Sequence, residues 1–253
     1  MNKTRVIPVL LLRGKGLVKT VKFKDPSYIG DPINSVRIFN EKEVDELVFL
    51  DISATPEARG PDFELLADIA GEAFMPMAYG GGITTMEQIK RIFSLGFEKV
   101  ILNSLAYSAP DVIREAVAIY GSQSIVGCVD VKKTLLGRYE LYSHSAATKH
   151  PVDLKTHLAQ LAALGMGEIL VNSIDRDGTM SGYDLKLLRE VTSAVDVPVV
   201  ACGGASSMAD FVTAVKEAHV SAVAAGALFV YMGPHRAVLI NYPARKDIEE
   251  QLP

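Results

Sequence analysis

The sequence has no basic run longer than a pair, and its formal charge over 253 residues is −4. Such a balance offers little to a nucleic-acid backbone, which is bound through concentrated Lys and Arg. No nucleic-acid partner is expected. The apolar stretch near the start, within "MNKTRVIPVLLLRGKG", falls far short of the roughly 20 residues that span a bilayer, and no small-residue cleavage site follows it. The chain therefore reads as a soluble, cytoplasmic protein without a membrane partner. Cysteine is scarce, with only Cys128 and Cys202, and each lies in an apolar run that suits a small buried hydrophobe in a reducing compartment. The five histidines lack the HxxxH spacing of a ligand pair and a matching cysteine pattern, so no metal is expected. The dinucleotide fingerprint GxGxxG is missing after the first apolar run, where "GKG" is too short, and no cofactor is expected.

What the sequence does have is an internal repeat. "MPMAYGGGITTMEQI", from Met75, resembles "VPVVACGGASSMADF", from Val197; Pro76, Gly81, Gly82 and Met86 fall on Pro198, Gly203, Gly204 and Met208 at an offset of 122. The same offset carries Glu46 onto Glu168, Gly60 onto Gly182, Asp62 onto Asp184 and Leu66 onto Leu188. Eight apolar runs alternate with helical patterns: "RVIPVLLL", "ELVFLDI", "MPMAYG", "KVILNS", "SIVGCVD", "EILVNSI", "PVVACGG" and "AVAAGAL". Eight units made by doubling four predict an α/β fold, a single (β/α)8 TIM barrel built from two half-barrels, about 1–121 and 122–240, with a tail at 241–253. A doubly wound open sheet is the alternative. Helices are predicted in "TMEQIKRIFSLG", with Met86, Ile89 and Phe93 on one face, and in "APDVIREAVAIYG", with Val112, Ala116 and Ile119 on one face. Each ends in a glycine suited to a C-cap.

In such barrels chemistry sits where the strands end. Gly81 and Gly82 close the third run and Gly203 and Gly204 the seventh, while Asn103 with Ser104 and Ala225 with Gly226 close the fourth and eighth. Small residues there either make tight turns or let backbone N–H groups approach an anion. Two such places at one offset favour a ligand with a phosphate at each end, or two phosphorylated ligands. Asp130 ends the fifth run before Lys132 and Lys133. Its carboxylate is either a general acid or base, tuned by burial and those cations, or an acceptor for loop N–H groups. "DRDGTMSGYD", Asp175 to Asp184, is too polar and glycine-rich for a helix and reads as a loop over the barrel mouth.

Through "DELVFLDI", "GGGI", "GEIL", "SIDRDGTMSGYD" and "ACGGASSM", the chain resembles over nearly its full length the HisF family, the cyclase subunit of imidazole glycerol phosphate synthase. The resemblance implies a subunit that receives ammonia from a separate HisH-like glutaminase at the strand-start face and closes an imidazole ring at the barrel mouth. It implies a phosphate-binding set of Gly81, Gly82, Asn103, Ser104, Asp177, Gly178, Gly203, Gly204, Ala225 and Gly226. Asp130 matches one of two catalytic aspartates, and Lys19 matches a loop lysine. The other aspartate is replaced by Leu11 in "VLLLRGK", against a family pattern like C-L-D-V-K-D-G. Leucine transfers no proton. Asn172 and Cys202 stand where the family usually has hydroxyl residues. Arg5, Glu46, Lys99 and Glu168 match the charged gate of the family's ammonia channel; spacing alone would favour a salt-bridge plug. Neither "GCVD" nor "ACGGA" presents a nucleophile elbow, so the glutaminase is expected to be another chain. A branch with the same leucine looks like a companion of a glutaminase and a sugar amidotransferase in making amidino-sugars for bacterial surface polysaccharides, including lipopolysaccharide of the O-antigen type. That implies a conduit with a phosphorylated ligand, against the alternative of an authentic cyclase of histidine biosynthesis.

Overall fold

The computed structural model describes residues 3–252 and contains eight parallel strands closed on one another. They are β1 (Arg5–Arg13), β2 (Leu47–Asp51), β3 (Met77–Gly80), β4 (Lys99–Leu102), β5 (Ile125–Lys133), β6 (Glu168–Ser173), β7 (Val199–Cys202) and β8 (Ala222–Ala225). Each pairs with the next, and β8 returns to β1 with Arg5 opposite Ala222 and Pro8 opposite Ala225. This is a (β/α)8 barrel, not an open sheet. The eight predicted apolar runs coincide with its strands.

A helix of the outer ring follows each strand: Pro32–Glu41, Phe63–Glu72, Met86–Ser94, Pro110–Tyr120, Leu154–Ala163, Leu185–Thr192, Met208–Ala218 and Arg245–Gln251. The last occupies what the sequence suggests is a tail, and Ile248 anchors it in the core. Local chemistry starts these helices at matching places. Asp62 and Asp184, separated by the repeat offset, each accept a hydrogen bond from the N–H three residues on, and Thr85 and Ser207 each open a capping box. A cap of this kind is worth about 1 kcal/mol. No helix among the described residues is long and apolar enough to cross a membrane.

Strand alternation divides the core in two. On β1, Ile7, Val9 and Leu11 belong to a cluster inside the barrel, whereas Val6, Leu10 and Leu12 belong to the layer between strands and helices. The strand is therefore apolar on both faces, and its sequence shows no alternation to the eye. β1 and β5 alone among the barrel strands continue into antiparallel hairpins, Gly16–Val21 with Lys24–Gly30 and Tyr139–Ser143 with Thr148–His150. Both hairpins rise on the mouth side. The helix Met86–Ser94 packs through Ile89 and Ile92, with Met86 and Phe93 at its flanks. In Pro110–Tyr120 the buried face is set by Ile113 and Ala116 with Val112 beside them, while Ile119 is 59% exposed. The predicted 112–116–119 face is thus rotated by about one residue, because Ile113 fills the core.

Truncating Ile113 to Ala should cost about 3 kcal/mol in urea unfolding, the usual loss for a fully buried branched side chain. Ile119→Ala should stay within about 0.5 kcal/mol of the parent. Equal costs would contradict this assignment of the helix face.

Candidate functional site

The strand ends surround a cavity of about 140 Å³ at the mouth. Leu11, Lys19, Asp130 and all ten residues of the expected phosphate set line it: Gly81, Gly82, Asn103, Ser104, Asp177, Gly178, Gly203, Gly204, Ala225 and Gly226. Residues far apart in sequence thus converge on one volume. Two glycines there are demanded by geometry. Gly178 has φ +70°, and a Cβ on it would lie 2.2 Å from the carbonyl oxygen of Thr20 in the first hairpin. Gly204 has φ +117°, and a Cβ would lie 2.3 Å from the carbonyl oxygen of Gly182. Neither place admits a larger residue without moving backbone.

Lys19 lies in the strand Gly16–Val21, not in a loop, and is buried. Its ammonium donates to Asp177 Oδ1 at 2.9 Å and to the Thr20 carbonyl at 3.0 Å, while Asp177 Oδ2 accepts from the Thr20 hydroxyl at 3.0 Å. The Asp177 carboxylate therefore holds the lysine, and its charge disfavours direct contact with a phosphate. The lysine stem passes close to Gly226, where a Cβ would lie 3.1 Å from its Cε. One buried cation thus spans the mouth from the first hairpin to the end of β8.

Asp130 projects into the cavity from β5, half-buried, and accepts a hydrogen bond from Asn103 Nδ2 at 2.8 Å. Burial raises its pKa to about 7; the bonds from Cys128 and Asn103 pull the other way, and Asp177 adds to the rise. Lys132 and Lys133, expected to tune it, are exposed on the hairpin and lie over the rings of Tyr142 and Tyr139. Across the mouth Leu11 packs in the interior cluster, paired in register with Leu50 and Val18. The aspartate has no acidic counterpart on β1.

Sequence reasoning missed the second hairpin's contribution. His144 and Ser145 also line the cavity, and the Ser145 hydroxyl donates to the Ile52 carbonyl at 2.7 Å, tying the hairpin to the end of β2. Behind them the fully buried Ser143 hydroxyl lies 2.7 Å from both His144 Nδ1 and His150 Nε2. The turn uses left-handed φ at His144, Ser145 and Ala146, without the glycine or asparagine that would have marked it. Thr55 was also missed; its hydroxyl oxygen accepts the Gly82 N–H at 3.0 Å.

At the opposite end, Arg5 bonds both Glu46 and Glu168, and Lys99 Nζ lies 3.0 Å from Glu46 and 2.9 Å from Glu168. Each carboxylate bridges both cations, which closes a ring of alternating charge at the barrel floor. Burial opposes the charge on Arg5, but the two glutamates more than offset it and its pKa is raised. The glutamate side chains are only 6% and 7% exposed, so pairing is what makes their burial tolerable. From this ring to the mouth the interior is apolar, lined by the cluster that includes Ile7, Val48, Ile101, Val126, Leu170 and Val200.

The model of the histidine biosynthesis protein family matches residues 5–234, which covers every strand of this barrel. A chain of Pseudomonas aeruginosa, provisionally named imidazole glycerol phosphate synthase subunit hisF2, is 51% identical over 96% of this chain and 97% of its own. A Leptospira interrogans protein provisionally named as the HisF subunit is 50% identical over 98% of both chains. The chain is a member of the HisF family. Another relative, the HisF subunit of Alkaliphilus metalliredigens, is named without qualification and is 40% identical over 91% of this chain and 92% of its own. In this HisF-family barrel the mouth residues and the floor ring occupy opposite ends of one apolar interior.

Asp130 binds its proton more tightly in the folded chain than at the ordinary carboxyl pKa of 3.8. Its favourable contribution is therefore full at low pH and is lost as pH rises through about 7. Asp130→Asn should stabilise the fold at about pH 8 by on the order of 2 kcal/mol, with the gain vanishing below about pH 4. Urea unfolding across that range reads the difference; a gain independent of pH would contradict the buried-acid assignment.

Proposed function

We propose that this HisF-family chain is the ammonia-conducting subunit of a glutamine amidotransferase complex whose acceptor is not the usual cyclase substrate. A separate HisH-like glutaminase docks on the strand-start face, and ammonia enters through the ring of Arg5, Glu46, Lys99 and Glu168. The observation that carries this reading is unequal retention: the floor ring is complete, while Leu11 leaves Asp130 without a partner acid. The apolar interior suits a neutral molecule such as ammonia and opposes a bare ammonium ion, which would be desolvated there without a counter-charge. At the mouth the glycine turns, with Asn103, Ser104, Ala225 and Gly226, receive a phosphorylated or nucleotide-linked ligand. The acceptor is a sugar destined for surface polysaccharide, supplied with a sugar amidotransferase as further partner, and the complex works in the cytoplasm. The identity of 51% to a relative numbered hisF2, against 40% to one named HisF without qualification, supports a role apart from the ordinary one.

A second reading is favoured by Asp130 itself, whose pKa near 7 suits proton transfer at neutral pH. In it the chain is an authentic cyclase of histidine biosynthesis, with another group standing in for the acid. Leu11→Asp separates the two. If the leucine is the defect, the variant should gain roughly 10²-fold or more in cyclisation; a stand-in acid leaves the rate unchanged.

Lys99→Ala opens the floor ring without touching the mouth. In the complex with its glutaminase, the variant should lower ammonia delivered per glutamine hydrolysed several-fold, read by comparing glutamate formed with ammonia lost to bulk solution. Unchanged coupling would reduce the chain to a scaffold.

A further inference from the structure

The turn that joins β5 to the strand Tyr139–Ser143 carries two adjacent leucines, Leu135 fully exposed and Leu136 81% exposed. This turn is tightly built. The Thr134 N–H donates to the Arg138 carbonyl at 2.8 Å, the Gly137 N–H to the Thr134 carbonyl at 2.9 Å, and the Arg138 N–H to Thr134 Oγ1 at 3.1 Å. Gly137 supplies a left-handed φ of +78°. The stem is fastened to the barrel, since the Lys133 N–H donates to Asp175 Oδ2 at 2.7 Å and the Tyr139 hydroxyl to Asp184 at 3.1 Å. At about 3.3 Å per residue, Leu135 stands on the order of 15 Å along the chain beyond Asp130, and neither leucine lines the mouth cavity. A lone exposed leucine needs no explanation, but two side by side on a turn held this firmly have nothing in their own chain to cover them.

The leucines sit in a basic collar. Lys132, Lys133 and Arg138 are all exposed, and none bonds a carboxylate through its side chain among the described residues; the ion pair of this hairpin joins Lys149 to Glu140. The first hairpin, on the same side of the barrel, exposes Arg13, Lys15, Lys22 and Lys24 against Asp25. In a chain of net charge −4, the two hairpins thus concentrate positive charge. We infer that the turn Thr134–Arg138 is a docking knob for a protein partner that presents an apolar socket rimmed by Asp and Glu. The leucines fill the socket, and the three cations meet the rim and steer the encounter. A bilayer is the poorer occupant, because two leucine side chains are smaller than a single myristoyl chain, which itself binds membranes only marginally. A second copy docked knob to knob would set like charges against each other. The inference rests on the conduit reading for the partner's identity, the sugar amidotransferase, which would then dock at the end of the barrel opposite the glutaminase.

The test is sedimentation of the full chain, bound to its glutaminase, with the sugar amidotransferase at low and raised ionic strength. A complex is expected, and Leu135→Ser and Leu136→Ser should each weaken it roughly tenfold or more, as loss of one buried leucine does. Lys132→Glu, Lys133→Glu and Arg138→Glu together should also weaken it and remove most of its dependence on salt. All five side chains are exposed, so these variants should fold as the parent does. Ile119→Ser, at an exposed apolar residue on an outer helix, should leave binding unchanged. No complex, or one that the leucine variants bind as tightly as the parent, would overturn the inference. So would leucine-dependent binding to vesicles of phosphatidylglycerol and phosphatidylethanolamine, or leucine-dependent self-association of the chain alone. If Lys99→Ala leaves ammonia coupling unchanged while the leucine-dependent complex persists, the conduit reading falls and the docking knob stands; the reverse pair of results removes the knob alone.

Discussion

Closure of eight parallel strands imposes the constraint from which the rest follows: every second side chain points into an interior lined mainly by other apolar side chains. Along β1 this sends Arg5, Ile7, Val9 and Leu11 inward in turn. Charge is tolerable only at the two ends, and there it must be paired or reach the mouth. The floor satisfies this with a closed ring of two cations and two carboxylates. The mouth satisfies it differently. Lys19 is neutralised by Asp177, and Asp130 relieves its burial by holding a proton near neutral pH.

Much of this was legible in the sequence because it follows from spacing. The repeat offset marks Gly81 with Gly203, Asp62 with Asp184 and Glu46 with Glu168, and these pairs serve matching strands and caps. Other features were not legible because they are contacts between distant residues or rotations smaller than a pattern resolves. The Lys19–Asp177 pair joins residues 158 apart. Ile119 and Ile113 are both apolar, and only the packed core decides which faces inward. The turn at His144 to Ala146 uses ordinary residues in a left-handed conformation, and nothing in their types announces that they cross the mouth.

The family assignment and the proposed role rest on different grounds. Membership in the HisF family follows from a match over residues 5–234 and from relatives aligned over nearly their whole length. The role turns on one position. A leucine at residue 11 extends the apolar interior to the mouth cavity that Asp130 also lines. In the proposed role a neutral molecule passes from floor to mouth, where Asp130 has a leucine and not an acid on β1.

The most direct measurement is the turnover of the ribulosyl-aminoimidazole cyclase substrate by the unmodified chain, together with its glutaminase and glutamine. Loss of one acid of the pair leads us to expect glutamine hydrolysis with cyclisation at roughly 1% of an authentic cyclase or less. Cyclisation at the full rate of an authentic cyclase would contradict it.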